Sequence, residues 1–322
     1  MASTSEFALQ INPSIIAVFL CMIVIGVTSG STRAEGPIRV FVLAGQSNMV
    51  GAGSVRADPG RHDGEGSLEW LVDSSPQQAK YASLRDDDGS WRERQDVRVW
   101  FLGRTGGLRP GFGSNEGTIG PELGFGTVVG DSIDEPVILV KIAWGGKAIG
   151  KEFRPPSSGG EVGDEYRMLV ENVRNFMEDP AAIFPEYEGR EFALTGIGWH
   201  QGWNDRVNQA FNDAYEENLS NLIRDLRKEL HDPDLPFVIA ETGMSGLEEK
   251  HPRALSLMAA QAAVARRSEF RGNVAFVGTR AFYRPADRSP SSQGYHWNSN
   301  AETYFLIGEG MGTAMLELMG GE

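Results

Sequence analysis

An α/β fold, doubly wound around a parallel sheet, is predicted by three features of the 322-residue chain. Most of six short apolar runs lack the in-and-out alternation of half-exposed strands. Stretches with helical spacing separate them. The longest remaining segments are rich in Gly, Pro and Asp. Strands buried on both faces read as continuous Val/Ile/Leu/Phe runs, and regular β–α alternation implies right-handed crossovers in one parallel sheet.

The elements follow in order. Strands are predicted at Ile38–Leu43, Val97–Leu102, Val137–Ala143, Ala193–Trp199, Phe237–Glu241 and Val274–Gly278. Helices are predicted between them, at Pro121–Val129, Glu165–Met177, Gln209–Leu230, Pro252–Arg267 and Ala301–Leu318. In the last, Tyr304, Phe305, Ile307, Gly308, Met311, Ala314, Met315 and Leu318 recur at i, i+3/i+4 and i+7, a stripe suited to packing on the sheet. Three segments read as loops: Val55–Glu93, Arg104–Thr118 and Phe153–Gly163. Long loops at one edge of such a sheet commonly shape a binding site.

The net charge of −14 argues against nucleic acid and anionic membrane surfaces as partners. Ile15–Val27 is almost wholly apolar, short for a membrane span and of signal-peptide length. Small residues follow, so residues 1–34 are expected to be a signal peptide and residues 35–322 one catalytic domain, secreted or periplasmic. The start is atypical, because Glu6 stands where a basic segment is usual; an uncleaved anchor is the alternative. Cys21 is the only cysteine, so cleavage would leave no thiol nucleophile, no disulfide and no cysteine-ligated metal.

Ser47 stands in Gly45-Gln46-Ser47-Asn48-Met49, directly after the first predicted strand. A serine on a glycine turn at the carboxyl end of a parallel strand faces the edge where ligands gather, much as in a nucleophile elbow but without its Gly-x-Ser-x-Gly signature. Such a hydroxyl needs a base, usually histidine. Of the five histidines, His200 and His296 follow strands and return to that edge, whereas His62, His231 and His251 lie in a loop or at helix ends. Acyl transfer also needs donors for the developing oxyanion. The Ser47 N–H, the turn Trp144-Gly145-Gly146-Lys147 and the Gln201 amide are the candidates. Gln46, Asn48, Trp144, His200 and Trp203 are candidate substrate contacts around them.

Gly45-Gln46-Ser47-Asn48-Met49, Gly120-Pro121-Glu122, Ala143-Trp144-Gly145-Gly146, Trp199-His200-Gln201-Gly202 and His296 resemble, in order, the blocks of the SGNH hydrolase superfamily. Within it they are most similar to the sialate O-acetylesterase-like domain that includes carbohydrate esterase family 6 acetylxylan esterases. The similarity runs from about Arg39 to Gly312. The resemblance implies a flavodoxin-like three-layer α/β/α sandwich with a central parallel sheet, and a serine esterase with no metal or other cofactor. It implies O-acetylated carbohydrate as substrate. It also implies Ser47 as nucleophile, His296 as base, and Gly145 or Gly146 with Gln201 in the oxyanion hole.

Two departures leave the third triad member open. Many members carry Asp three residues before the histidine, where this chain has Gln293, and some carry Glu after His-Gln-Gly, where it has Trp203. Asp205 is the first candidate because it follows the Gln201 block by four residues. Asp287 is the second, and a Ser–His dyad oriented by a backbone carbonyl is the third. The acid holds the histidine tautomer and stabilises imidazolium, so another acceptor can do part of its work. An esterase for a lipid or thioester, and a catalytically weak carbohydrate-binding relative, are the competing readings.

Overall fold

Six parallel strands and one antiparallel edge strand form the central sheet of the computed structural model, which describes residues 36–320. The predicted signal segment and Cys21 lie outside the described residues. The strands are β1 (Ile38–Gly45), β2 (Arg94–Phe101), β3 (Arg104–Leu108), β4 (Val137–Ala143), β5 (Phe192–His200), β6 (Phe237–Ala240) and β7 (Val274–Val277). Their order across the sheet is β3-β2-β4-β1-β5-β6-β7. The chain places β2 and β3 on one side of β1, returns to insert β4 beside β1, and then adds β5, β6 and β7 on the other side, so β1 lies at the switch point where open α/β sheets bind ligands.

The main helices are α1 (Ser47–Val50), α2 (Glu122–Ser132), α3 (Asp164–Glu178), α4 (Trp203–Val207), α5 (Tyr215–Glu229), α6 (Pro252–Ala265) and α7 (Ala301–Gly320). The period-2 side-chain rule sorts each strand between two cores. On β1, Phe41 and Leu43 pack with Leu123, Phe125 and Val129 of α2 and with Tyr304, Ile307 and Met311 of α7. Val40, Val42 and Ala44 face the other way, onto α3, α5 and α6 through Leu169, Val173, Leu222, Ile223 and Leu257. These are the three layers expected, and the α7 stripe from Tyr304 to Met315 is buried as its spacing predicts.

Three local expectations change. The segment read as a loop from Arg104 begins with β3, whose pairing with β2 is irregular between Arg94 and Arg98. Gly106 and Gly107 sit inside it, and glycine carries no strand signal. The helix read as Gln209–Leu230 breaks at Ala214 into Gln209–Asp213 and α5. The loop Val55–Glu93 contains short helices at Leu68–Asp73 and Gln78–Tyr81.

One polar group stands in the core by register. On β4, Val137, Leu139 and Ala143 join the α2/α7 core, and Lys141 shares their face. Its ammonium is fully buried and donates to Glu122 Oε2 at 2.6 Å, to Val50 O at 2.7 Å and to Phe112 O at 2.7 Å. Glu122 Oε1 accepts from Gly120 N at 2.8 Å. Burial lowers the Lys141 pKa, and the Glu122 carboxylate opposes that shift. The three N–H donors of a lysine therefore meet three acceptors, one of them charged.

Removing one partner of a buried ion pair strands the other charge, at a cost of about 3–5 kcal/mol. Glu122→Gln is therefore expected to lower the unfolding free energy, measured by urea denaturation, by about that amount. A loss below about 1 kcal/mol, the range of surface pairs, would contradict the buried-pair account.

Candidate active site

Three neighbouring strands end level with one another. Gly45 of β1 pairs with Ala143 of β4 on one side and with His200 of β5 on the other. The turns that follow, at Ser47, at Trp144–Gly146 and at Gln201–Asn204, thus emerge side by side. Gly45 has φ +152°, and a Cβ there would sit 2.2 Å from the His200 carbonyl oxygen, so only glycine fits this crossing. Ser47 opens α1, so its N–H has no intrahelical acceptor. A Cβ built on Gly145 would lie 3.9 Å from Ser47 Cβ, which places the exposed Gly145-Gly146 turn against the serine. Gly146 has φ +71°, a left-handed conformation that disfavours any side chain.

The loop carrying His296 is tied to the same place through Asn48. Asn48 Nδ2 donates to Tyr295 O at 3.1 Å, and Tyr304 Oη donates to Asn48 Oδ1 at 2.8 Å and to His296 O at 3.3 Å. Ser47 and His296 therefore flank one hydrogen-bonded junction. Directly after His296, Trp297, Asn298 and Ser299 all have positive φ, between +52° and +57°. Non-glycine residues in that region are strained by about 1–3 kcal/mol each, and such strain concentrates at functional sites. The buried Trp297 ring and the Asn298 amide, which donates to Arg284 O at 3.0 Å, hold the bend. The His296 ring is half-buried, and burial lowers its pKa below the ordinary imidazole value.

The sequence profile of the carbohydrate esterase, sialic acid-specific acetylesterase family matches residues 37–317. The chain belongs to this family. A probable carbohydrate esterase of Arabidopsis thaliana is 27% identical over an alignment of 226 residues that covers 66% of this chain and 74% of that protein. The X-ray structure of an Arabidopsis thaliana protein matches with TM-score 0.59 at 18% identity, covering 88% of this chain and 99% of the other. A carbohydrate acetylesterase from Xanthomonas citri matches with TM-score 0.54 at 16% identity, covering 88% of this chain and 56% of the other. At these identities the two structures establish the shared fold.

For a carbohydrate esterase family member, the placement of the remaining candidates is informative. His62, His231 and His251 are exposed, and none lies in the junction around Ser47. His200 is buried, and burial pushes its pKa down to about 4, which favours the neutral ring. It lies with Nδ1 3.4 Å from Ala240 O and stacked on Trp297. Gln46, Asn48 and His200 are at most 2% exposed, which corrects the expectation that they touch substrate. Gln46 instead braces the next loop: its Oε1 accepts from Gly202 N at 3.0 Å and its Nε2 donates to Asn204 Oδ1 at 3.3 Å. Trp144 and Trp203 remain partly exposed.

Gln201 and Asp205 are corrected together. Gln201 is fully buried and its Nε2 donates to Asp205 Oδ2 at 2.6 Å and to Lys147 O at 3.0 Å, which leaves no amide hydrogen for an oxyanion. Asp205 accepts from Ile149 N at 2.9 Å and Gly150 N at 2.8 Å as well as from Gln201, and makes no hydrogen bond to His296. It fastens the loop after β4 to the loop after β5. Burial pushes its carboxyl up to about 6 against the pull of those three donors. Asp287 is exposed, and burial alone acts on the His296 ring, with no hydrogen bond from it to a carboxylate among the described residues. Asn204 is the residue the sequence reading missed. Its Nδ2 approaches the Gly146 turn, 3.9 Å from a Cβ built there, while Gln46 fixes its Oδ1. A second amide three residues beyond Gln201 was the available signal.

Asp205→Asn swaps one acceptor for a donor facing a donor, which costs about 1–3 kcal/mol. The variant is expected to lose that much stability in denaturant titration while the acid limb of its pH–rate profile stays at the wild-type position. A shift of that limb would restore Asp205 as a partner of His296.

Proposed function

We propose that the protein is a serine esterase that removes O-acetyl groups from carbohydrate. One observation carries the reading: the level strand ends at Gly45, Ala143 and His200 bring Ser47 and the Gly145-Gly146 turn out side by side at the switch point of the sheet. Family membership supports the ester and the carbohydrate; the junction at Asn48 supports His296 as the base.

In this reading Ser47 Oγ attacks the acetyl carbonyl carbon and its proton passes to His296. The oxyanion that forms is met by the Ser47 N–H, by an N–H of Gly145 or Gly146, and by the Asn204 amide. The tetrahedral intermediate expels the sugar oxygen, which takes the proton from His296. Water then repeats the sequence on acetyl-Ser47, with His296 as base, and releases acetate. The Ser–His dyad replaces the triad expected from sequence. Without a carboxylate on its ring, the imidazolium is stabilised less than in a triad.

Ser47→Ala is expected to retain the fold and to lose at least about 10³ in kcat on an acetyl ester. Activity above about a tenth of wild type would remove Ser47 as nucleophile. The base must be neutral to accept a proton, and burial favours the neutral ring. The acid limb of the wild-type kcat/KM profile is therefore expected below the ordinary imidazole value of about 6.5. A limb above that value would point to a base with a carboxylate partner.

A further inference from the structure

Tyr295 is the one aromatic side chain among the large hydrophobics that are exposed in the described residues, at 45%. It immediately precedes His296, and its ring meets the His296 ring edge-on, with centroids 4.6 Å apart. Trp203 also neighbours it, with ring centroids 6.2 Å apart and planes tilted by 46°. Trp203 is backed by Arg206, whose guanidinium carbon lies 3.9 Å from the indole centroid. Arg206 is itself held toward Glu249 at 3.8 Å. Neither the Tyr295 hydroxyl nor the Trp203 indole N–H has a hydrogen-bond partner among the described residues, and neither is buried. Exposed Val207 ends the helix that Trp203 begins.

We propose that Tyr295 and Trp203 form the specificity wall of the site, a stacking surface for the pyranose ring that bears the acetyl ester. The inference rests on the esterase reading above and adds the residues that select the alcohol half of the ester. Two rings with free polar tips suit a sugar, which offers C–H faces to the rings and hydroxyls to the tips. An acyl chain would gain nothing from the unpartnered O–H and N–H. The ring nearest the base is the one a sugar must touch when its ester oxygen is to take a proton from His296. Asn48, through its bond to Tyr295 O, fixes the wall relative to Ser47. Arg206 behind Trp203 keeps the indole in place and is a positioning residue.

The test compares two acetyl esters, glucose pentaacetate and acyclic ethyl acetate, with wild type, Tyr295→Ala, Tyr295→Phe and Trp203→Ala. The ratio of kcat/KM for the sugar ester to that for ethyl acetate is expected to fall about tenfold in Tyr295→Ala, as loss of about 1.4 kcal/mol of contact implies. The change should appear mainly in KM, because stacking acts on bound substrate and transition state alike. Tyr295→Phe keeps the ring and is expected to hold the ratio within about threefold, consistent with retained stacking. Trp203→Ala, whose ring is not the one against His296, is expected to lower the same ratio and so separates the wall from disturbance of the base. An unchanged ratio in both alanine variants, with wild type active on both esters, overturns the wall and leaves the esterase reading standing. Wild-type protein inert to both esters overturns the esterase reading itself.

Discussion

The buried Lys141–Glu122 pair fixes the floor beneath Ser47. The lysine occupies a position of β4 whose register neighbours, Val137, Leu139 and Ala143, are apolar core. An ion placed there without partners would carry a penalty of several kcal/mol. The structure meets it with one carboxylate and two backbone carbonyls, and those carbonyls decide the consequence. Val50 O ends the four-residue helix that Ser47 begins, and Phe112 O belongs to the glycine-rich segment beside it. Glu122 opens α2 and holds Gly120 N as well. A single ammonium thus joins β4, α1, α2 and the 104–118 segment. Replacing the pair with two apolar side chains would leave both carbonyls unpaired, so the usual tolerance of such swaps does not extend to this site.

Above that floor, a second set of polar ties sets the loops against one another. Gln46 reaches across to Gly202 and Asn204, Gln201 to Lys147 O, and Asp205 to Ile149 and Gly150. All three strand ends next to the switch point are cross-linked in this way. Several residues with the chemistry of ligand contacts turn out to be the frame, and the groups left at least partly exposed are few: Ser47, Trp144, the glycine turn, Asn204, His296 and the aromatic pair. Asn48 extends the frame to the His296 loop, where three consecutive left-handed residues force a tight bend. The strain of that bend is offset by burial of Trp297 and by the hydrogen bonds of Asn298. The inner polar layer therefore fixes the loops relative to one another, which in the proposed esterase is the preorganisation that oxyanion stabilisation requires.

Much of this was legible from sequence because the central strands β1 and β4 and the strand β6 are buried on both faces. Continuous runs such as Val137–Ala143 mark their own ends, so the turns at Ser47, Gly145 and Gln201 fall at the right edge. The α7 stripe was legible for the same reason: its period has one physical meaning. Side-chain direction was not legible. Gln201 and Asp205 are four residues apart on one short segment, and sequence spacing alone could not show that they bond each other rather than face the site. Lys141 was hidden inside an apolar run, although one charge in a doubly buried strand is the signal of a buried partner. The β3 strand was hidden by its glycines, and Asn204 by the stronger motif that precedes it.

The central claim is that Ser47 is a nucleophile activated by His296 at this sheet edge. Its most direct test is intact-mass and peptide-level mapping after reaction with a fluorophosphonate, in wild type and in His296→Ala. The account predicts a single adduct on Ser47, formed at least about tenfold more slowly when His296 is removed, since a positioned general base typically contributes 10²–10⁴. Labelling at another residue, or labelling of Ser47 at an undiminished rate without His296, would contradict it.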